Sequence, residues 1–90
     1  MSDVRNRLQE QYPEIPFLFM DPPEQYDGAI MGVVTGSNIR PVIAYDYARV
    51  VAANIAMGMT YDEAIEYFEY NQGNAYVGEG TPVFVETLGE

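Results

Sequence analysis

The chain reads as an α+β fold: a small antiparallel sheet of three to four strands, covered on one face by two helices. Three observations predict it. Residues 29–36, "AIMGVVTG", and 40–46, "RPVIAYD", are apolar runs that flank the turn signal "GSN" at 36–38, the pattern of a hairpin. Residues 47–57 and 61–70 have helical apolar spacing, and between them stand Gly58 and the Thr60–Glu63 pair of a capping box. Residues 82–87, "PVFVET", alternate with period two, Phe84 against Val83 and Val85. All 90 residues fit one domain, with its core over 15–88 and a short helix within 1–14.

Each element has a local cause. Ser2 is placed to cap a helix over residues 2–11, in which Val4 and Leu8 lie one turn apart. Pro13 and Pro16 impose an extended path. It leads into "IPFLFM", 15–20, a strand or an apolar segment lying on the core. "DPPEQYDG", 21–28, reads as a loop. In the hairpin, Pro41 sits near a strand start, where its missing N–H does least harm. Asp46 is the expected N-cap of the first long helix. There Val50, Val51, Asn54 and Ile55 follow helical spacing, and Ala48, Ala52, Ala53 and Ala56 allow close approach. Gly58 ends it where a left-handed conformation is cheap. In the next helix, Tyr61, Ile65 and Phe68 recur at i, i+4 and i+7 and should face the core. Asn71, Gly73 and Asn74 stop it, "AYVG" is a candidate short strand and "EGT" a turn.

Composition removes many chemistries. With no His and no Cys, the common zinc sites, disulfides, serine triads and cysteine–histidine pairs have no residues to build on. With no Lys there is no phosphate-loop lysine and no Schiff base. No apolar run reaches 18 residues and the N-terminus lacks an apolar signal core, so a cytoplasmic protein without a membrane span is expected. Apolar residues make up 48% of the chain, against the signature of disorder.

Charge is the strongest global signal. Fourteen Asp and Glu against four Arg leave a formal charge of −10. Such a chain repels nucleic acid and anionic membrane and attracts basic protein surfaces, although solubility alone also accounts for acidity. The second helix concentrates it. Asp62, Glu66 and Glu69 fall on one stripe with Glu63 beside it, and no Arg lies between Tyr61 and Tyr70. Like charges at this spacing cost a few tenths of a kcal/mol each, roughly, so stability alone favours mixed signs. Tyr67 and Tyr70 lie near the stripe, and tyrosine is enriched at interfaces. The six residues Asp62, Glu63, Glu66, Tyr67, Glu69 and Tyr70 are therefore the candidate partner-binding site. Closely spaced carboxylates can stand in for nucleic-acid phosphates before a basic protein. The plain counterpart is a solvated helix face.

Two other sites come from the residues. "GNAYVGEG" exposes backbone N–H groups that bind anions in Gly-rich turns, although helix stopping and a tight turn explain its glycines as well. Arg40, Arg49, Tyr76 and Glu79 form the alternative ligand-binding set, suited to a small nucleotide signal. Asp21, Glu24 and Asp27 lie three apart and could hold Mg²⁺ or Ca²⁺ in a small metal-dependent enzyme. Neither a resident cofactor nor catalysis is the favoured expectation. Self-association is compatible with the aromatic load.

The segment "MTYDEAIEYFEYN…GNAYVGEGTPVFVE" resembles a family of small proteins of tailed bacteriophages and prophages. That family carries an "M-[ST]-x-[ED]-E-A-x-E-[YF]" helix start and a "G-A-[YW]-V-G-E-x-T-P" stretch near the C-terminus. The likeness covers roughly residues 28–86, with "AYVGEGTP" its most specific part; Asn74 stands where the pattern has Gly. The family brings no agreed activity, and no site residue transfers from it. The resemblance implies a phage origin and the cytoplasm of an infected bacterium. With the acidic stripe, it gives the leading expectation: a non-enzymatic inhibitor of a basic, nucleic-acid-binding host protein, of anti-defence or anti-CRISPR type. On this reading it touches neither nucleic acid nor membrane directly.

Overall fold

The computed structural model describes residues 3–75 and 78–88. Its elements in chain order are helix α1 (Asp3–Gln11), a single-turn helix α2 (Pro23–Tyr26) continued by a 3₁₀ turn (Asp27–Ala29), strands β1 (Ile30–Gly36) and β2 (Ile39–Asp46), helices α3 (Tyr47–Ala56) and α4 (Tyr61–Tyr67), a π turn (Phe68–Gln72), and strand β3 (Val83–Val85). This is a small α+β fold, as the sequence indicates. The sheet order is β1-β2-β3.

The hairpin forms where the two apolar runs place it. Ser37 and Asn38 make the turn, and Asn38 takes φ 63°, a left-handed conformation that asparagine tolerates better than most residues. The third strand differs from the expected antiparallel sheet. It runs parallel to β2, pairing Ala44 with Val83, Tyr45 with Phe84 and Asp46 with Val85. The helices between β2 and β3 are the crossover that a parallel pair requires. As the central strand, β2 is buried from Val42 to Tyr45 without alternation, so both its faces are covered rather than one.

The core joins Leu8, Tyr26, Ala29, Ile43, Tyr45, Val50 and Phe68, with Phe17, Phe19, Met20 and Phe84 packed against it. Residues 15–20 are therefore the core-lying segment and form no strand. Phe68 is the hinge of an aromatic cluster. Its ring meets Tyr47 edge-on at 4.9 Å and Phe84 edge-on at 4.8 Å, and Phe84 stacks on Tyr45 at 5.9 Å. Such edge-on pairs add about 0.5–1.5 kcal/mol beyond their area. A Cβ at Gly73 would stand 2.5 Å from Phe68 Cε2, so glycine there lets the ring lie against the turn.

The stretch 21–28, expected as a loop, is mostly helical, because Pro23 supplies the fixed φ that a first helical turn needs. It carries two buried groups. Asp27 receives Arg5 Nε on both carboxylate oxygens, at 2.8 and 3.0 Å, while Arg5 Nη2 donates to the Met20 carbonyl at 3.0 Å. The same guanidinium lies 4.2 Å from the Phe19 ring centre. One arginine thereby ties α1 to α2 and to the apolar segment.

Tyr26, 2% exposed, belongs to a closed ring of hydrogen bonds. Its hydroxyl donates to Asn54 Oδ1 at 2.7 Å, Asn54 Nδ2 donates to Gln72 Oε1 at 3.0 Å, and Gln72 Nε2 donates back to the Tyr26 hydroxyl at 2.9 Å. Each side chain gives one proton and takes one, which satisfies polar groups that would be costly to bury unpaired. Asn54 Nδ2 also reaches the Ala64 carbonyl at 3.4 Å. The ring thus binds α2, α3, α4 and the π turn together.

Several local expectations change. Tyr61 is 66% exposed, and the fully buried residue of α4 is Ala64, because the helix leans its small side against Asn54. Ile55 is 39% exposed, and Ala48, Ala52 and Ala56 face outward, leaving Ala53 as the alanine packed on the core. Asp46 holds the N-cap position without a capping bond, because its Oδ2 turns to Arg49 Nε at 3.5 Å. Gly58 follows α3 with φ 110°, as expected of a helix stop. Ser2, and Tyr76 and Val77 of the proposed "AYVG" strand, lie outside the described residues, and Ala75 and Gly78 on either side of them are not in a strand.

Removing one member of the hydrogen-bonded ring should leave two buried groups unpaired. Asn54→Ala is expected to lower unfolding free energy by about 2–4 kcal/mol, from two lost partners and a small cavity. A double-mutant cycle with Gln72→Ala, followed by urea denaturation, should show strong non-additivity. Additive losses would mean that the ring does not act as a unit.

A second expectation concerns alkaline pH. Burial is the largest effect on Tyr45, opposed in part by the Met20 N–H that donates to its hydroxyl at 2.7 Å, and the pKa is pushed up to about 12 from 10.0. The folded value exceeds the unfolded one, so the neutral phenol's contribution is complete below pH 10 and is lost as pH rises through 12. That contribution is roughly 2–3 kcal/mol. With no lysine present, tyrosinate absorbance and circular dichroism followed over this window should show Tyr45 ionising together with unfolding.

Candidate functional site

The acidic face is set by how α4 begins. Thr60 Oγ1 accepts the Glu63 N–H at 3.1 Å, and Glu63 Oε1 accepts the Thr60 N–H at 2.9 Å, completing the capping box. Glu63 is therefore committed to the helix start, although it remains exposed. Asp62 and Glu63 both stand in the first turn, where the helix dipole favours negative charge. Asp62, Glu66 and Glu69 are all exposed. Among the described residues the ion pairs are Arg5 with Asp21 and Asp27, and Arg49 with Asp46, so none reaches this helix.

The helix changes pitch midway along the stripe. It is α-helical to Tyr67 and π-helical from Phe68 to Gln72, where the Gly73 N–H donates to the Phe68 carbonyl at 2.6 Å. The wider turn carries Glu69 and Tyr70 behind the positions that continuous α spacing gives them. Asn74 Nδ2 then closes the end by donating to the Glu69 carbonyl at 2.8 Å. Tyr70 is 80% exposed and Tyr67 39%. The six predicted residues thus share one exposed element, with Glu63 mainly structural and the last two displaced by the π turn.

Sequence reading missed Glu86. The Tyr47 hydroxyl is pushed above its ordinary pKa first by burial and then by Glu86, Tyr61 and Glu69, in that order. Glu69 from the π turn and Glu86 from beyond β3 therefore both act on one tyrosine, and both are exposed. No local pattern announces this, because it is the pairing of β3 with β2, Val85 opposite Asp46, that carries Glu86 toward Tyr47.

On its other side the helix borders a cleft of about 480 Å³. Leu18, Phe19 and Phe84 give it apolar walls, and Asp21, Tyr67 and Asn71 stand among its polar groups. The alternative ligand set is divided. Arg40 and Glu79 line a separate cleft of about 420 Å³ with Asn38 and Gly78. Arg49 lies past the opposite end of β2, held by Asp46 and by the Gly28 carbonyl at 3.3 Å, so it does not converge with Arg40. Tyr76 lies outside the described residues. The metal triad is not assembled: Asp21 and Asp27 both face Arg5, and no group of three acidic side chains is placed to hold a cation among the described residues. No described helix is long and apolar enough to cross a membrane.

No protein-family model matches the chain, and no curated protein or solved structure is similar to it. The site therefore has to be read from its own geometry.

The two kinds of carboxylate on α4 should respond differently to substitution. Glu63→Ala removes a capping partner and should cost about 0.5–2 kcal/mol. Glu66→Gln and Glu69→Gln remove unpaired like charges and should leave stability unchanged or raise it by a few tenths of a kcal/mol, roughly. Thermal melts at low ionic strength check the contrast; equal losses at all three sites would show that the stripe is structural throughout.

Proposed function

We propose that this chain is a non-enzymatic binding protein that engages a basic, nucleic-acid-binding protein through the α4 face. The observation that carries the reading is a row of exposed carboxylates that no ion pair reaches among the described residues, flanked by two exposed tyrosines, on a chain of charge −10. Glu66 and Glu69, which take part in no ion pair among the described residues, are available to external partners. Tyr67 and Tyr70 add contact area and hydroxyl donors beside them. Spread over the helix and on to Glu86, the negative field suits a surface evolved for phosphates, which makes occupation of such a surface the natural mode of action. That the target belongs to a bacterial host under phage infection, as in anti-defence or anti-CRISPR inhibition, rests on the sequence resemblance alone.

The nucleotide-sequestering alternative now rests on Arg40 beside Glu79, since Arg49 is elsewhere. One arginine in a strongly negative chain is poor support for an anionic ligand.

The test is affinity capture from bacterial lysate at low and high salt, with wild type and with the Glu66→Lys, Glu69→Lys double variant. Wild type should retain a nucleic-acid-binding protein at low salt, and duplex DNA should displace it. The double variant should bind it roughly tenfold or more weakly while keeping its circular dichroism spectrum. Retention indifferent to the charge reversal would remove the α4 face from the interface.

A further inference from the structure

The cleft beside α4 differs from the acidic face in having an apolar interior, and its charge selects what can enter. Leu18, itself 38% exposed, and the partly buried Phe19 and Phe84 form its walls. Among the described residues Asp21 is the single charged one along its lining, and its side chain is 80% exposed. Arg5 does not neutralise it closely. That guanidinium is spent on Asp27 at 2.8 and 3.0 Å and on the Met20 carbonyl at 3.0 Å, leaving Asp21 Oδ1 at 3.8 Å, beyond hydrogen-bond reach. Arg40 stands beside Gly80, as Leu18 does, and lines the neighbouring cleft. Gln72 at the cleft has both amide atoms engaged in the buried ring, so that wall is fixed before any ligand arrives.

We infer that this cleft receives an extended segment of the basic partner, seating one apolar side chain between Leu18 and Phe84 and placing an adjacent arginine or lysine on Asp21. The inference rests on the binding reading above and supplies what that reading lacks. Carboxylates on an exposed helix attract any cation, and they are screened by salt. A preformed apolar pocket with one exposed, loosely paired carboxylate at its lining selects an apolar residue next to a basic one. Anchors of this kind carry most of the energy at protein interfaces, while rim charges mainly set the encounter rate. Tyr67 belongs to both surfaces, and it joins the cleft to the acidic face.

Three capped pentapeptides test this by amide chemical-shift mapping: acetyl-Arg-Leu-Arg-Leu-Arg-amide, the same peptide with glycine for leucine, and the same with glutamate for arginine. The leucine–arginine peptide should bind roughly fivefold or more tightly than its glycine counterpart. It should shift the amides of Leu18, Phe19, Asp21, Tyr67 and Asn71, and the glutamate peptide should not bind. Asp21→Asn should weaken it roughly threefold or more without altering the fold, since that side chain is mostly exposed. The Glu66→Lys, Glu69→Lys variant should weaken both arginine peptides alike and preserve their affinity ratio. That ratio reads the cleft, and the common loss reads the helix face, so either can fail alone. A ratio near one, shifts confined to the outer face of α4, or equal binding of the glutamate peptide would overturn the inference.

Discussion

The hydrogen-bonded ring of Tyr26, Asn54 and Gln72 holds this structure together. Apolar packing gathers the helices on the sheet, but it does not specify how they are turned. The ring does, because each of its bonds needs a particular distance and direction. It places α3 against α2 and sets the end of α4 against both. The π turn follows from it: Gln72 must point inward while Phe68 keeps its place among Tyr47 and Phe84, and one turn with five-residue spacing meets both demands. The wall of the cleft and the position of Glu69 and Tyr70 are set by the same three side chains.

Division of labour among the charged residues is equally plain. Arg5 and Asp27 make a well-aligned pair, Arg5 largely covered and Asp27 buried, that fastens the N-terminal helix; Arg49 and Asp46 clasp the start of α3. With two of the four arginines used near the core and at a helix start, little positive charge remains to balance the surface. The acidity of α4 is therefore uncompensated by construction. The fold bears that repulsion because the helix is anchored from beneath by Ala64, Phe68 and Gln72 and capped by Thr60 and Glu63.

What the sequence made legible was whatever local chemistry decides. The hairpin, the capping box at Thr60 and Glu63 and the stop at Gly58 all depend on neighbours within a few residues, and all appear where the pattern puts them. The losses have one cause: they depend on partners far along the chain. Tyr61 looks like a core residue by spacing, yet α4 turns Ala64 inward because Asn54 seeks its carbonyl. The direction of β3 was unreadable, since period-two alternation is the same in parallel and antiparallel strands. The outer face of α4 was visible as a charge pattern, whereas Glu86 and the cleft needed three dimensions. Arg49 and Arg40 looked like companions, and β2 holds them apart.

The π turn also governs how this chain can change its length. Within an ordinary helix, deleting a residue slides everything beyond it by one position, and a loop often absorbs the slip. Here the extra residue is already built in between Phe68 and Gln72. Its removal would return the segment to regular pitch and swing Gln72 away from Tyr26, while an insertion would overshoot in the other direction. Five residues are thus held to a fixed count, even though three of them, Glu69, Tyr70 and Asn71, face solvent and their identities are open to exchange. Drift along this stretch is confined to replacement in place, which lets a recognition surface vary its chemistry while its geometry stays locked to the interior.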